Sequence, residues 1–339
     1  MRVFVTGGTG LIGRNLARKL TDRGDEVVVL TRSQTEAGKN PLLRGVQFVE
    51  GDPVAGGAWQ KTIDGCDAVV NLVGHNLFAN RWNPEIKRKI RDSRVYSTEQ
   101  VVKAISSAER KPSVLVNGSA IGFYGPHGED ELTEDSPSGN DFMAVVCREW
   151  EDAAHPVESL GVRLVRVRTG VVLAKGEAAL GVMTPIFRFV PGGAAPVGGG
   201  GSPIAPAFGK QWFSWIHLAD IVGIITHSLD RTDVSGPING VAPNAVRNAE
   251  FSKELAKALR GKGIWPLFSP IGPPDVMLRL ILGEVAQVVT EGQRVLPKKA
   301  TETGYSFQFP HLAQALENLF AQGSAKSKST EPSRVTTRH

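Results

Sequence analysis

The sequence contains very little cysteine, with only Cys66 and Cys147 among 339 residues. Two cysteines cannot build the disulfide framework of a secreted, loop-rich domain, so they favour a reducing compartment. The seven histidines show no metal-ligand spacing, and the sequence therefore predicts no metal site. No run is long and apolar enough to span a bilayer, and a strand beginning at Arg2 leaves no room for a signal peptide. We therefore expect a cytoplasmic protein without a membrane partner.

Excess charge is also scarce, because 39 basic residues stand against 34 acidic ones and give a net charge of +5. Residues 321–339 alone carry a surplus of three positive charges, which leaves the rest of the chain near +2. A nearly neutral body does not predict nucleic-acid binding. The length predicts one large α/β body with an appended part, and residues 321–339 are expected to be a disordered tail.

What the chain does have, at its start, is a glycine-rich turn between a strand and a helix. Residues 3–13 read VFVTGGTGLIG, and apolar residues at helical spacing follow the glycines. Glycines in this context can make a tight turn, admit a pyrophosphate close to the backbone and let the helix pack on the strand. The N–H groups at the helix start can hold phosphates. The alternative is a glycine-rich turn without a ligand. The predicted dinucleotide-binding residues here are Gly7, Thr9, Gly10, Leu11, Ile12 and Gly13.

The second predicted strand, residues 26–30, ends in Thr31, Arg32 and Ser33. In a dinucleotide fold, a carboxylate at this end accepts hydrogen bonds from the ribose 2′-hydroxyl. A guanidinium with a neighbouring hydroxyl suits a 2′-phosphate instead, through charge-assisted hydrogen bonds. Arg32 and Ser33 therefore predict NADP as the cofactor, with NAD as the alternative. An exposed loop arginine without a ligand is the other interpretation.

Two further predicted strands complete the expected cofactor site. Asp52 follows the third strand, residues 46–50, where it could meet the adenine amino group or simply form a turn. The fourth strand, residues 67–74, ends in glycine, which would let its backbone run beside the cofactor. This strand contributes the remaining predicted cofactor contacts, Leu72, Val73 and Gly74.

A long helix is predicted over residues 84–107, and Arg94 interrupts its otherwise apolar or small inward stripe. An arginine aimed inward needs an acidic or phosphate partner or a water-filled cleft. The alternative is that Arg94 lies at the edge of the stripe and extends its charge into solvent.

The fifth predicted strand, residues 114–118, leads directly into Ser119 and Tyr124. The carboxyl ends of parallel strands line the ligand crevice of a doubly wound sheet, so both residues are catalytic candidates. Cys147 and Glu151 lie one turn apart on a helix predicted over residues 142–154.

The second half of the chain continues with a sixth strand at 163–168, whose alternating arginines predict one exposed face. Residues 191–209 are rich in glycine, proline and alanine and predict a flexible flap. Regular structure is predicted again at residues 211–217, QWFSWIH. The imidazole of His217 could gain and lose a proton near neutral pH and so serve as an acid or base. A last strand is predicted at 236–241, and further helices at 178–190, 249–259, 275–289 and 310–320.

Four motifs resemble the extended-type short-chain dehydrogenase/reductases, within an atypical epimerase-like branch labelled NAD-dependent epimerase/dehydratase. The resemblance covers residues 1–320 and includes a C-terminal domain of unknown function. Its motifs are GGTGLIG at 7–13, GSAIGFYG at 118–125, SWIH at 214–217, and LGE at 282–284 through EGQRVLP at 291–297.

This resemblance implies a Rossmann-like doubly wound parallel sheet with a smaller, mostly helical substrate-side region. The implied dinucleotide-binding domain takes residues 1–172 with 213–248. The substrate-side domain takes residues 173–212 and 249–320.

The wider family's proton relay is missing from this chain. That family uses a tyrosine and a lysine four residues later as acid/base and support. Met143 and Cys147 stand at those positions, and neither can do that chemistry. The family serine falls at Ala120, beside Ser119, and the family's helix asparagine falls near Arg94.

Two functions follow from the altered site. The first is an NADP-dependent epimerase or oxidoreductase acting on a nucleotide sugar or another small carbonyl or hydroxyl compound. Its candidate catalytic residues are Ser119, Tyr124, His217 and Arg94, with Cys147 and Glu151 also considered. The alternatives are a packing residue under the cofactor for Tyr124, a buried inert thiol for Cys147, and a structural hydrogen bond near the helix start at Asp220 for His217. The second is an NADP(H)-binding sensor or regulator without turnover. The chain is expected to be a monomer or a homodimer.

Overall fold

The computed structural model describes residues 1–78, 80–189, 209–260, Glu284 and 292–321. In chain order, its strands are β1 (Arg2–Thr6), β2 (Glu26–Thr31), β3 (Gln47–Glu50), β4 (Ala68–Asn71), β5 (Val114–Ala120), β6 (Glu131–Leu132), β7 (Arg163–Thr169), β8 (Val171–Ala174), β9 (Trp212–Phe213), β10 (Trp215–His217), β11 (Gly236–Gly240), β12 (Val246–Arg247) and β13 (Arg294–Val295). The α-helices are α1 (Leu11–Asp22), α2 (Gln34–Gly38), α3 (Pro84–Ser107), α4 (Phe142–Ala154), α5 (Ala178–Phe189), α6 (Leu218–Asp230), α7 (Asn248–Arg260), α8 (Lys298–Glu302) and α9 (Leu312–Ala321). Short 3₁₀ turns cover Pro41–Leu43, Ala58–Ile63, Ile121–Tyr124 and His155–Leu160.

Seven parallel strands form the central sheet in the order β11-β7-β5-β4-β1-β2-β3. From β1 the chain first adds β2 and β3 on one side. It then crosses back over the sheet and adds β4, β5, β7 and β11 on the other side. This confirms the predicted Rossmann-like doubly wound sheet. The order reverses between β1 and β4, and in such sheets a ligand crevice opens at the carboxyl ends of these two strands.

Helices cover both faces of the sheet. On one face, α1 and α6 bury Leu16, Leu20 and Ile221 against the valines of β1, β2 and β5. On the other face, α3 buries Val101 and Ile105 against apolar side chains of β1, β4 and β5. Burial on both faces explains why these strands read as nearly continuous apolar runs.

A third apolar cluster lies outside the central sheet. Leu180 of α5, Phe251 and Leu255 of α7 and Leu316 of α9 are almost completely buried in it, together with Trp215 of β10. α5, α7 and α9 belong to the segments expected to form the substrate-side region, whereas β10 belongs to the segment 213–248 expected in the dinucleotide-binding domain. The cluster therefore joins residues from both predicted domains.

The prediction of an exposed face on the sixth strand is wrong. This strand is β7, and it lies inside the sheet between β5 and β11. Arg168 is only 4% exposed and pairs with Glu151 of α4. The alternating arginines therefore reflect a buried ion pair rather than contact with water.

Several predictions fall on parts of the chain that lie outside the described residues. These are the flap at 191–209 except Gly209, the helix at 275–289 except Glu284, and the tail beyond Ala321. Within the described ranges, no helix combines the length and apolarity needed to cross a membrane.

Candidate functional site

The glycine-rich loop after β1 is shaped by close backbone contacts. Gly7 has a φ of +67°, and a Cβ there would lie 2.7 Å from the carbonyl carbon of Leu72. The N–H of Gly10 donates to the carbonyl of Gly7 at 3.0 Å, and a Cβ on Gly13 would lie 2.7 Å from Gly8 Cα. Positions 7 and 13 thus require glycine for the fold itself.

Gly10 is different, because its surroundings leave room for a side chain. It is the N-cap residue of α1 with ordinary extended backbone, and a Cβ would meet only the Gly7 carbonyl oxygen, at 3.2 Å. No described side chain caps the helix, and its first turn contains no acidic residue. The N–H groups of the first turn therefore remain available to an anion, and the residues present fit a pyrophosphate.

Arg32 lies immediately after β2, beside the end of β1, and is exposed. Within the described ranges it has no hydrogen bond or ion pair, so its guanidinium is free to bind a phosphate. Ser33 caps α2, accepting a hydrogen bond from the N–H of Glu36 at 3.4 Å. Asp52 is exposed after β3 and accepts from the N–H of Val54 at 3.0 Å, which is a turn-forming contact.

Fully buried polar side chains tie β1, β4 and β5 to α3. Thr6 donates to Asn71 at 2.5 Å, and Asn71 donates to Asn117 at 2.7 Å and to Thr98 at 2.8 Å. Sequence reasoning missed this network. The sequence does contain a sign of it, since Thr6, Asn71 and Asn117 are polar residues in otherwise apolar strands, and the structure pairs them in register on adjacent strands.

Ser119, at the end of β5, is joined to a buried ion pair. Its hydroxyl donates to Glu151 Oε1 at 2.7 Å, and Arg168 binds both carboxylate oxygens of Glu151, at 2.8 and 2.9 Å. Burial lowers the pKa of Arg168, but the hydrogen bonds and charge of Glu151 outweigh this and raise it above its usual value. The lone pairs of the Ser119 oxygen can still accept a hydrogen bond from a ligand.

Tyr124 lies deeper in the same network and is fully buried. Its hydroxyl donates to Asn239 Oδ1 at 2.7 Å and accepts from Arg168 at 3.0 Å. Burial raises the pKa of Tyr124 to about 12. The structure therefore gives this tyrosine a packing and hydrogen-bonding role between β7 and β11.

His217 is the N-cap residue of α6, and its Nδ1 accepts from the N–H of Ala219 at 3.0 Å. The ring packs on Phe309 with 3.9 Å between centroids, and burial lowers the pKa of the imidazole. His217 thus caps α6 and packs on Phe309, and burial disfavours its charged form.

This burial predicts a pH effect on stability. Because the folded-state pKa of His217 lies below its ordinary 6.5, the unfolded chain binds the proton more readily. The stabilisation is complete above pH 6.5 and is lost as the pH falls towards the lowered value. In urea unfolding at pH 7.5 and pH 5.5, His217→Asn should keep the cap and lose less stability on acidification than the parent. An equal loss in both proteins would contradict this assignment.

Met143 and Cys147 occupy the positions where the wider family has its tyrosine and lysine. Both face the turn after β5, since a Cβ on Gly122 would lie 3.4 Å from Met143 Cβ and 3.8 Å from Cys147 Sγ. Burial raises the pKa of Cys147 to about 12, so the thiol stays protonated. The thiol is therefore unsuited to act as a nucleophile or as a substitute for the lysine.

Arg94 points inward from α3 and is only 9% exposed. It donates to the carbonyls of Ile90 at 2.8 Å and His75 at 3.2 Å, and its guanidinium lies 5.2 Å from the Trp150 ring centroid. A Cβ on Gly74 would lie 3.0 Å from the guanidinium carbon. The inward interpretation of Arg94 is therefore correct, and its place is the carboxyl end of β4.

Comparison with known proteins gives two family matches. Residues 3–239 match the NAD dependent epimerase/dehydratase family, and residues 273–319 match a domain of unknown function, DUF1731. An Arabidopsis thaliana protein, epimerase family protein SDR39U1 homolog, chloroplastic, is 41% identical over 94% of this chain and 86% of its own. Human epimerase family protein SDR39U1 is 36% identical over 95% of this chain and 100% of its own.

Solved structures agree with these matches. A crystal structure of human epimerase family protein SDR39U1 with NADPH has a TM-score of 0.79 and 35% identity, and covers 95% of this chain and 100% of that one. A Thermus thermophilus UDP-glucose 4-epimerase complex with NAD has a TM-score of 0.71 at 20% identity, covers 96% and 100% of the two chains, and shares the fold.

Proposed function

This chain belongs to the NAD dependent epimerase/dehydratase family, and we propose that it is an NADP(H)-binding oxidoreductase or epimerase with an altered acid/base group. The observation that carries the cofactor proposal is the exposed guanidinium of Arg32, which has no partner among the described residues and follows β2 on the same side of the sheet as the uncapped start of α1. The NADPH named in the human structure supports the same choice.

The residues that would hold the cofactor follow the carboxyl ends of β1, β2 and β4. The N–H groups of residues 11–13 would bind the pyrophosphate, and Arg32 with Ser33 would bind the 2′-phosphate. Leu72, Val73 and Gly74 would run beside the bound molecule, as the end of β4 adjoins the glycine loop. When bound, the nicotinamide supplies hydride transfer.

For proton transfer we propose Ser119 with Glu151 as its acceptor. In oxidation, a substrate hydroxyl that donates to Ser119 Oγ would pass its proton to that oxygen while the Ser119 proton moves to Glu151. In carbonyl reduction the same two protons would move in the opposite direction, from Glu151 to Ser119 and from Ser119 to the substrate oxygen. Arg168 holds the carboxylate in place through two hydrogen bonds. The substrate class that suits this relay is a small hydroxyl or carbonyl compound, with nucleotide sugars among the candidates.

A turnover screen tests the relay. NADPH oxidation is followed with pools of small carbonyl compounds and with nucleotide sugars, for the parent, Ser119→Ala and the exposed control Ser106→Ala. Removal of a general acid/base group should lower the rate by about a hundredfold or more, with Ser106→Ala unchanged. Full activity in Ser119→Ala would show that another group moves the proton.

The second candidate function is an NADP(H) sensor without turnover. The observation that favours it is the inert pair at the family's catalytic positions, Met143 and the buried thiol of Cys147. Tight NADPH binding with no oxidation across the whole screen would select this function.

Arg32→Ala tests the cofactor preference. We expect the variant to bind NADPH about ten- to a hundredfold more weakly and NADH nearly as well as the parent, because one charge-assisted phosphate contact is worth about 1.5–3 kcal/mol. The difference should shrink at high salt, since Arg32 is exposed and screened. Calorimetric titration of both nucleotides measures the effect.

Arg44→Ala is the matched control for that titration. Arg44 is also exposed, but it precedes β3. It therefore lies near the amino ends of the strands, whereas the proposed cofactor site is at their carboxyl ends. It should leave both affinities unchanged. Equal loss of NADPH and NADH affinity in Arg32→Ala would remove the case for a 2′-phosphate site.

A further inference from the structure

We propose that the substrate carries an apolar alkyl or aryl group next to its reacting carbonyl or hydroxyl, and that Met143 contacts this group beyond the end of β5. This inference rests on the proposed function. Among the candidate substrates, it selects apolar carbonyl and hydroxyl compounds over nucleotide sugars.

The helices α3 and α4 both begin on the side of the sheet where the crevice opens. α3 leads from β4 to β5, and α4 precedes β7, while these three strands are parallel. Each helix therefore runs against the strand direction, and its first turns lie beyond the carboxyl ends of the strands. Residues at the starts of α3 and α4 thus border the space where the reacting part of a ligand would bind.

Met143, Cys147 and Glu151 lie on one face of α4, since each follows the previous one by four residues. Glu151 marks the level of the strand ends, because it bonds to Ser119 and Arg168, which pair across β5 and β7. Met143 lies about 12 Å further along the helix axis, at about 1.5 Å per residue. Cys147 and Glu151 are buried, whereas Met143 is half-buried. Of these three side chains, Met143 is the one that a ligand beyond Ser119 can touch.

Met143 belongs to an apolar cluster that joins the starts of both helices to the loop after β4. Its buried members are Trp82, Ile90 and Val146, and its half-buried members include Leu77, Phe142 and Met143, which we call the apolar wall. The Trp82 indole donates to the Leu77 carbonyl at 2.9 Å and packs edge-on against Phe142, with 5.3 Å between ring centroids. These contacts hold the loop against the start of α4.

The side chains of the apolar wall contain no strong hydrogen-bonding group. A sugar ring bound against them would leave hydroxyl groups without partners, which is unfavourable where water is excluded. An alkyl or aryl group would instead bury its own apolar surface together with that of Met143. The flexible thioether of methionine adapts to apolar groups of different shapes.

The basic side chains of Lys87 and Arg148, near the wall on α3 and α4, already have partners. Lys87 lies 5.0 Å from the ring centroid of Phe142 and forms an ion pair with Glu284. Arg148 donates to the Ser138 hydroxyl at 3.0 Å. A diphosphate would have to compete with these partners, because its binding depends on charge-assisted hydrogen bonds, whereas an apolar substrate leaves them undisturbed.

The test uses 4-phenylbutan-2-one as an apolar carbonyl probe and UDP-glucose as a nucleotide-sugar probe. Each is titrated by calorimetry into the protein saturated with NADP+, so that no turnover occurs. We expect the parent to bind the ketone at least about tenfold more tightly than UDP-glucose. Met143→Gln, which is similar in size but polar, should bind the ketone at least about tenfold more weakly than the parent, with the NADP+ affinity unchanged within about twofold.

Val145→Gln is the matched control. Val145 is also half-buried on α4, but it lies two residues from Met143 and therefore on the other side of the helix. This variant should bind both probes like the parent. Met143→Leu keeps an apolar side chain of similar size and should bind the ketone within about twofold of the parent.

Met143→Ala provides a further variant should Met143→Gln not fold. It removes most of the apolar surface without adding a polar group, and should bind the ketone at least about threefold more weakly than the parent. Parent-like binding of the ketone by Met143→Ala would contradict a contact with this side chain.

Three further outcomes would overturn the proposal. These are equal ketone affinity in the parent and in Met143→Gln, tighter binding of UDP-glucose than of the ketone by the parent, and a parent that binds neither probe. A parent that binds no NADP+ would refute the proposed function alone. The ketone titration can still be made on that cofactor-free protein, where Met143→Gln should again bind more weakly.

Discussion

Gly10→Val is expected to weaken NADPH binding by about a hundredfold or more while the protein stays folded. A Cβ at this position meets only the Gly7 carbonyl oxygen, at 3.2 Å, so a small local shift accommodates it. The valine methyl groups would instead occupy the space in front of the N–H groups that begin α1. Overpacking costs about 1–3 kcal/mol, and with the lost phosphate contacts we expect about 3 kcal/mol in binding.

Calorimetric titration with NADPH measures this effect, and circular dichroism verifies the fold. Gly128→Val is the matched control, because Gly128 is exposed and a Cβ there meets nothing within 4 Å. The control should bind NADPH like the parent. If Gly10→Val bound NADPH as tightly as the parent, the cofactor site would have to lie elsewhere.

Arg168→Met is expected to destabilise the protein by about 3 kcal/mol, since it removes both hydrogen bonds of the Glu151 carboxylate to Arg168 and leaves Arg166, at 3.8 Å, as its cationic partner. It also removes the donor that Tyr124 accepts from at 3.0 Å. The measurement is the free energy of unfolding in urea at pH 7.5. Arg231→Met, which breaks an exposed ion pair with Asp233, should leave the free energy of unfolding close to that of the parent, because water screens this pair.

The double variant Glu151→Leu with Arg168→Met provides a further check. Replacing both groups with apolar side chains removes the buried carboxylate that Arg168→Met leaves poorly compensated, so the double variant should recover more than half of the loss. A single Arg168→Met variant as stable as Arg231→Met would show that the buried pair contributes little to folding.

The central sheet could be predicted from the sequence because its signals are local. Strands β1, β2 and β4 are short runs rich in valine, and the loop glycines stand between a strand and a helix. The position of Arg32 after β2 follows from the same local pattern. Its role as a phosphate ligand stays a prediction, as does that of the glycine loop.

The site around Ser119 could not be predicted in the same way, because its contacts join distant parts of the chain. Tyr124 bonds to Asn239, 115 residues away, and Ser119 bonds to Glu151, 32 residues away. The alternating arginines of β7 have the pattern of a strand facing water. Only packing against α4 and β11 shows that Arg168 faces a carboxylate, and no local pattern carries that information.

For Arg94, the helical spacing predicted the inward direction but left the partner open. The structure shows that the guanidinium packs on Trp150, a residue of α4. Helix pairing of this kind depends on the whole fold. The absence of a described carboxylate beside Arg94 could likewise be read only from the structure.

The central claim is that the chain binds NADP(H) through Arg32 and the start of α1, and the most direct test is a calorimetric titration of the parent protein with NADPH and with NADH. The account predicts saturable one-to-one binding of NADPH, at least tenfold tighter than binding of NADH at low salt. Equal binding of the two nucleotides, or binding of neither, would contradict it.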